Sequence, residues 1–473
     1  MSSAKALDTT TELEIGTVAP AGHIDESDVE ADEGTHTNNS DDENAISNKE
    51  DISTTDAKQA PAPAPTPTGP PDGGFAAWTV VLGGFITLFN SFGFLNNFAA
   101  FQTYYYTNTL RGYSNSDIAW IGAMQSFTIL SANLVLGPIF DRYGPRPLLI
   151  GATFTFAFGC MMTSLADKYY QIFLAQGVVV GASLGAAFIT PMACIMQWFD
   201  KKRPAALGIA ISGSSIGGVV WPIVTKALLD NVSFGWTWRA LGFIGLGLLP
   251  IAVVTVRMPP HVIEAKKKRG PQPVLALEAF KTPKYTAFTA VYVMFAMGLF
   301  PLLFYFPELT GHYGVSTDLQ FYSISILNAF SFVGRMGLPI LAQFTGVWNT
   351  SIVCIAICAI SVFAFMAIDS PAGSVVAAGA FGFTSGGALS LVVACVPAVI
   401  PNFQKLGASM GQIFFVASFF ALLTGPIAGW ILATKPTGNW IAVEGYVGAC
   451  LIVCAIGLVF LRLHINPDWK KKF

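Results

Sequence analysis

Arg335 closes the otherwise uncharged stretch Asn328-Ala329-Phe330-Ser331-Phe332-Val333-Gly334-Arg335, well inside a run of hydrophobic residues. A guanidinium in that setting costs several kcal/mol unless it faces a cavity or a partner. Its planar fork of N–H donors suits a carboxylate or another oxyanion, so the chemistry it points to is capture of an anionic solute by charge-assisted hydrogen bonds. The plain alternative is a structural arginine bonded to carbonyls or to its Asn and Ser neighbours. Glu308, Arg239 and Asp117 fall near the ends of apolar runs, which leaves Arg335 as the one full charge expected deep inside a run.

Uncharged polar residues recur in similar runs: Asn90, Asn96, Asn97, Gln125, Asn133, Asn328, Ser331 and Gln412. Polar groups are costly in hydrocarbon, so these are expected to face inward, some lining a cavity and some joining helices. Tyr292, Phe295 and Tyr305 add aromatic surface. The candidate solute site is therefore Arg335, Asn96, Asn97, Asn328, Ser331 and Tyr292. It suits a mid-sized, partly apolar organic solute with an acidic group.

Other chemistries lack their residues. No GxxxxGK[ST] loop is present, which excludes an ATP-driven pump. The histidines lie in the tail or near run ends, and no Ser/His/Asp or Cys/His arrangement is visible, so no enzyme is expected. Cys354/Cys358 and Cys450/Cys454 are each one helical turn apart, yet no histidine or carboxylate completes a metal site. No cofactor, metal or nucleic acid is expected.

The elements that must position these residues are membrane helices. Only 11% of the 473 residues are charged and 53% are hydrophobic, where a soluble domain has about 25% charged residues. The apolar residues fall into runs of about 20, the length that crosses a bilayer as a helix. Twelve spans are expected, at roughly 78–101, 118–140, 147–165, 171–196, 205–228 and 240–257, then 286–307, 319–342, 350–368, 372–399, 407–433 and 442–462. The fold class is all-α, with two pseudo-symmetric six-helix bundles over 72–257 and 286–465. A linker over 258–285 carries Pro259-Pro260 and Lys266-Lys267-Lys268-Arg269, and 466–473 forms a basic tail. Residues 1–71 hold fifteen acidic residues against three lysines and end in alternating prolines, the composition of a disordered acidic tail. Span 4 reads Gly177-xxx-Gly181-xxx-Gly185, a pattern for close helix packing.

With both termini in the cytoplasm, seventeen basic residues outside the tail fall inside and five outside, which fixes the orientation by the positive-inside rule. Asn231 is then the outward-facing glycosylation sequon, close to the membrane surface. The plasma membrane is the expected location, with the vacuolar membrane as the alternative.

Gly137-Pro138-Ile139-Phe140-Asp141-Arg142-Tyr143-Gly144-Pro145-Arg146 lies at the cytoplasmic end of span 2. Gly137 and Gly144 allow close approach and a tight turn. Asp141 can pair with basic groups such as Arg142 and Arg146 or with a helix N-terminus, latching one conformation. This segment resembles the loop signature of the major facilitator superfamily. Pro71-Asp72-Gly73-Gly74-Phe75-Ala76-Ala77-Trp78 leads into span 1, and Trp198-Phe199-Asp200-Lys201-Lys202-Arg203-Pro204 leads into span 5. Together they resemble the paired signatures of the monocarboxylate porter family, in particular its fungal branch, over about 71–465. Asp72 is expected to cap the first helix, Trp78 to sit at the interface, and Lys201, Lys202 and Arg203 to anchor span 5.

The resemblance implies that Arg335 binds carboxylate. It also implies two departures, because Asn96 and Ser331 stand where animal members carry a lysine and an aspartate tied to proton coupling. That argues against lactate or pyruvate and leaves no evident proton acceptor in the cavity. The expected function is a monomeric secondary transporter that moves a small organic solute through the lipid bilayer by alternating access, with protons as the candidate coupling ion. Export of a pathway metabolite is weighed against uptake of a monocarboxylate or a riboflavin-like vitamin. A solute receptor signalling through the acidic tail is the non-transport alternative.

Overall fold

A computed structural model describes residues 70–267, 276–368, 370–435 and 438–468. Most of the expected acidic tail, Lys268 and Arg269 of the linker, and Lys470, Lys471 and Lys472 lie outside the described residues. The chain divides into Met1–Ala64 and Pro65–Phe473, and every described residue belongs to the second unit.

Twelve helices among the described residues are long and apolar enough to cross a membrane. Spans 1 to 6 are Phe75–Thr109, Ser116–Tyr143, Pro145–Ser164, Tyr169–Trp198, Arg203–Asn231 and Phe234–Thr255. Spans 7 to 12 are Pro283–His312, Thr317–Thr345, Val347–Phe365, Pro371–Val399, Phe403–Leu432 and Trp440–Ile465. Each overlaps the run expected from sequence; eight contain it whole, while spans 3, 6, 9 and 11 end one to three residues before the expected run does. Proline occupies the first turn of spans 3, 5, 7 and 10, where no intrahelical N–H is lost. Ser114, Ser233 and Ser370 accept backbone N–H groups at the starts of spans 2, 6 and 10.

Span 1 is discontinuous. Its first helix, Phe75–Asn90, stops at Ser91, whose hydroxyl donates to the Leu184 carbonyl at 2.7 Å. The chain resumes as Phe92–Leu95 and Phe98–Tyr104, with Asn96 and Asn97 between them. Broken helices of this kind occur in membranes where backbone is covered by protein or lines a cavity.

Two seams join the halves. Span 2 crosses span 11, where a Cβ on Gly137 would strike the Gly407 carbonyl and one on Gly411 would strike that of Asn133. Span 5 crosses span 8, where a Cβ on Gly208 would strike the Arg335 carbonyl and Pro339. Adding or subtracting six converts one span pair into the other, as a pseudo-two-fold relation between six-helix halves requires. Within the first half, Gly181 and Gly185 of span 4 lie against Gln125, Thr128 and Ile129 of span 2, so this glycine stripe is a packing surface.

Candidate functional site

Between the halves lies a cavity of about 600 Å³, within the range usual for organic ligands. Spans 1, 2, 7, 8 and 11 form most of its walls, span 10 adds Ser385 and Leu389, and Ser214 is the sole span 5 residue lining it among those described. On span 8 the lining runs from Ile324 to Arg335, about 16 Å of helical rise. It extends from mid-span toward the end of the molecule opposite Phe75 and Ile465, with Gln102, Trp120, Glu308 and Trp430 among the lining residues at that end. Arg335 stands at the floor.

Asn328, Ser331 and Arg335 reach the cavity together because spacings of three and four residues share one helix face. Asn96 lines it from the break in span 1, with its amide donating to the Phe92 carbonyl at 2.9 Å. Asn328 is buried against Gly218 of span 5 and donates to the Ile324 carbonyl at 3.0 Å. Arg335 is half-buried and crosses from the second half to the first. Its Nη1 donates to the Ile211 carbonyl at 3.2 Å and to the Ser214 hydroxyl, while its Nε is enclosed without a partner. Arg335 is therefore tied to a carbonyl and a serine and also lines the cavity.

Two expected site residues are elsewhere. Tyr292 is buried against Phe295 and Phe414, with ring centroids 6.2 and 5.5 Å away, and does not line the cavity. Asn97 is fully enclosed, and neither its Oδ1 nor its Nδ2 has a partner. Gln125 belongs to a chain in which Tyr105 donates to Gln176 at 2.7 Å and Gln176 donates to Gln125 at 3.4 Å. Along such uniformly apolar helices the sequence does not distinguish the face toward a neighbour from the face toward a cavity.

The expectation of no proton acceptor in the cavity is corrected by Glu308, the one carboxylate in its described lining. It stands three residues after Tyr305 on the same helix face, and that spacing was the signal available. Phe300, Phe304, Trp120 and Trp430 also line the cavity and give it a mainly aromatic and aliphatic wall. Arg335 is also not the only charge enclosed by the helices. Glu444 and Arg462, both on span 12, are buried. Glu444 accepts from the Tyr313 hydroxyl at 2.8 Å, and Arg462 donates to Asn349 at 3.2 Å and to the Asn466 and Asp468 carbonyls. Both stand near span ends, where adjoining helix ends and loops cover them.

The far end of the molecule is closed. Asp141 accepts from the backbone N–H of Gly407 at 3.0 Å and of Ala408 at 2.7 Å, at the start of the long helix of span 11. A helix N-terminus is thus a partner of this carboxylate. Arg142 lies over the Tyr143 ring at 5.2 Å, and Arg146 is exposed. Gly144 makes the tight turn between spans 2 and 3 with φ of 82°.

The two paired segments meet on this closed end. Asp72 does not cap its own helix, since Gly74 occupies that N-cap position without a side-chain bond. Its Oδ1 instead accepts from the N–H of Asp200 at 2.6 Å and of Lys202 at 3.4 Å, so it caps the turn into span 5. A φ of 52° at Asp72, followed by Gly73 and Gly74, turns the chain back toward that loop. Trp78 packs edge-on against Phe199, with centroids 5.3 Å apart. Arg203 holds Asp200 at 3.0 Å and the Phe199 carbonyl at 3.0 Å, whereas Lys201 and Lys202 are exposed. At the opposite end Asn231 is the last residue of span 5 and donates to the Ala227 carbonyl at 2.8 Å, while Ser233 of its sequon caps span 6.

Comparison with known proteins agrees with this architecture. Residues 80–416 match the family described as Major Facilitator Superfamily. An MFS-type transporter of Aspergillus niger, pynF, is 35% identical over 83% of this chain and 90% of its own length. An aspyridones efflux protein of Emericella nidulans is 37% identical over 85% of this chain and 82% of its own. A fujikurins efflux protein of Gibberella fujikuroi is 37% identical over 86% of each. Among solved structures, the human organic anion transporter MFSD10 superposes with a TM-score of 0.62, covering 83% of this chain and 99% of that one at 13% identity. The proton:xylose symporter XylE does so with a TM-score of 0.64 over 80% and 94%, also at 13% identity. At that identity the likeness concerns the fold alone.

Proposed function

The chain belongs to the Major Facilitator Superfamily and moves a small organic solute across a membrane, and on that premise we propose that it exports a largely apolar, acidic secondary metabolite. The carrying observation is the cavity of about 600 Å³, walled mainly by aromatic and aliphatic side chains, with Arg335 at its floor. The walls suit an apolar skeleton and the guanidinium suits an oxyanion. The efflux proteins named for aspyridones and fujikurins, each 37% identical to this chain, support the direction. The chain acts as a transporter and not as an enzyme.

In this reading the solute binds Arg335 with Asn96, Asn328 and Ser331 beside it, while Asp141 and the span 2–11 seam latch the closed end. Both termini are cytoplasmic, so the cavity faces outward in the state described here. The protein works as a monomer in the plasma membrane and is driven by protons, with Glu308 as the carboxylate placed to carry one. It falls in the fungal branch of the monocarboxylate porters, with its halves over 72–257 and 286–465. Uptake of a monocarboxylate or a vitamin has less support, because the cavity is large and mainly apolar for such a cargo.

The test is metabolite profiling of cells and medium from deletion and overexpression strains of the native host. An exported product accumulates inside the deletion strain and outside the overexpressor. A compound depleted from the medium only when the protein is present would overturn the export reading.

A further inference from the structure

Ser214 is the one described span 5 residue at the cavity wall, and it meets Arg335 across the boundary between the halves. The two residues are part of a three-membered knot. Ser214 donates its own proton to the Ile211 carbonyl at 2.6 Å, which leaves its oxygen to accept from Arg335. The Ile211 carbonyl accepts from the same Nη1 at 3.2 Å. Both N–H bonds of Nη1 therefore have partners within the protein. Nε is enclosed, so the edge of the guanidinium that remains for an oxyanion is reduced to Nη2.

We infer that Ser214 is a release residue: in the state with the span 2–11 seam closed at the far end from the cavity, it competes with the solute's anionic group for Arg335. This inference rests on the proposed capture of an acidic solute by Arg335. A carboxylate binds a guanidinium best through two parallel N–H···O bonds. When span 5 lies against span 8, Ser214 and Ile211 occupy donors that such a pair would need. Rocking the halves apart at the closed end draws span 5 from span 8 and frees Nη1. The anion site is then weaker on the side where an exported solute leaves and stronger on the side where it is collected. A solute shifts a conformational equilibrium only through such a difference in affinity. Ser214 acts on the solute through Arg335, so it is a positioning residue and not a direct ligand.

The test uses the full-length chain in lipid nanodiscs, with naphthalene-2-carboxylate and its uncharged carboxamide as probes. Quenching of tryptophan fluorescence reports binding, since Trp120 and Trp430 line the cavity. A cysteine placed at Gln102 and its rate of maleimide labelling report that the cavity remains open in each variant. Ser214→Ala is expected to bind the carboxylate about three- to tenfold more tightly, the worth of one hydrogen bond to a charged group partly replaced by water. Carboxamide affinity stays constant, and Ser214→Thr, which keeps the hydroxyl, behaves as the wild type. Equal or weaker carboxylate binding in Ser214→Ala, with labelling intact, would overturn the competition. A different failure belongs to Arg335→Gln. If that variant binds the carboxylate as tightly as the wild type, Arg335 is no anion site and the proposed cargo chemistry falls first. Absence of saturable carboxylate binding even in Ser214→Ala overturns both.

Discussion

Removing the Asp141 carboxylate is the sharpest perturbation of the closed end. In Asp141→Ala the N–H groups of Gly407 and Ala408 lose acceptors now at 3.0 and 2.7 Å. Each hydrogen bond to a charged group contributes about 1.5–3 kcal/mol, and a carboxylate at a helix N-terminus adds about 0.3–1 kcal/mol. Asp141 is half-buried, so water takes over part of both interactions when the seam opens, and a net loss of about 2–3 kcal/mol is the reasonable figure. At 1.4 kcal/mol per tenfold, the closed-seam population falls by roughly 30- to 150-fold relative to the alternative. The assay is labelling of a Gln102→Cys cavity reporter with a membrane-impermeant maleimide. All seven native cysteines are buried, which keeps the background low. The labelling rate should fall, by about tenfold or more where the two states start near parity, and turnover should slow because one half of the cycle is no longer held. Solute binding should persist, since Asp141 is far from the cavity lining. Asp141→Asn, which retains one acceptor oxygen, should fall between. An unchanged labelling rate, or loss of all binding in a folded variant, would refute the latch.

Arg335→Ala should abolish transport of an anionic solute while expression and membrane targeting remain normal; unchanged transport would make the arginine purely structural. Gly137→Val should prevent spans 2 and 11 from meeting, because even a Cβ there collides with the Gly407 carbonyl. The same cavity reporter should then label slowly, and rapid labelling would show that the seam is looser than described. Asp72→Ala should cost about 0.5–2 kcal/mol, the usual worth of a capping carboxylate, and lower the thermal midpoint while leaving solute affinity intact. A changed affinity at constant stability would place Asp72 in the solute pathway instead.

The twelve spans were legible because length and hydropathy decide them locally. The Asp141 segment was legible because its glycines and charges sit at a fixed offset from a helix end. Asn328, Ser331 and Arg335 could be grouped because one helical face is a matter of spacing alone. Tyr292 and Asn97 went astray because helices apolar on every side carry no stripe that tells neighbour from cavity. Asp72 was read as the cap of the helix it precedes, whereas a positive φ turns it toward a loop more than a hundred residues later. Ser214 and Glu444 owe their roles to contacts across helices far apart in sequence, with Arg335 and Tyr313 respectively, and no local pattern encodes such pairings.

The two seams differ in what they can sense. Asp141 holds span 11 through backbone N–H groups at the closed end, away from the cavity lining, so its contribution is the same with or without solute. Arg335 belongs both to the span 5–8 seam and to the cavity floor, so an anion bound there as proposed would exchange partners with a contact that holds the halves together. On that reading, coupling between an anionic cargo and rocking runs through Arg335, since a ligand with equal interactions in both states shifts nothing. The consequence is measurable. In the wild type, and in Asp141→Ala at a displaced baseline, saturating naphthalene-2-carboxylate should change the ratio of the two states, read from the labelling rate of the Gln102→Cys reporter, by the same factor. In Arg335→Gln the carboxylate should leave the rate where it was. A carboxylate effect that survives Arg335→Gln would move the coupling to another contact, with the Glu308 side of the cavity as the next place to look.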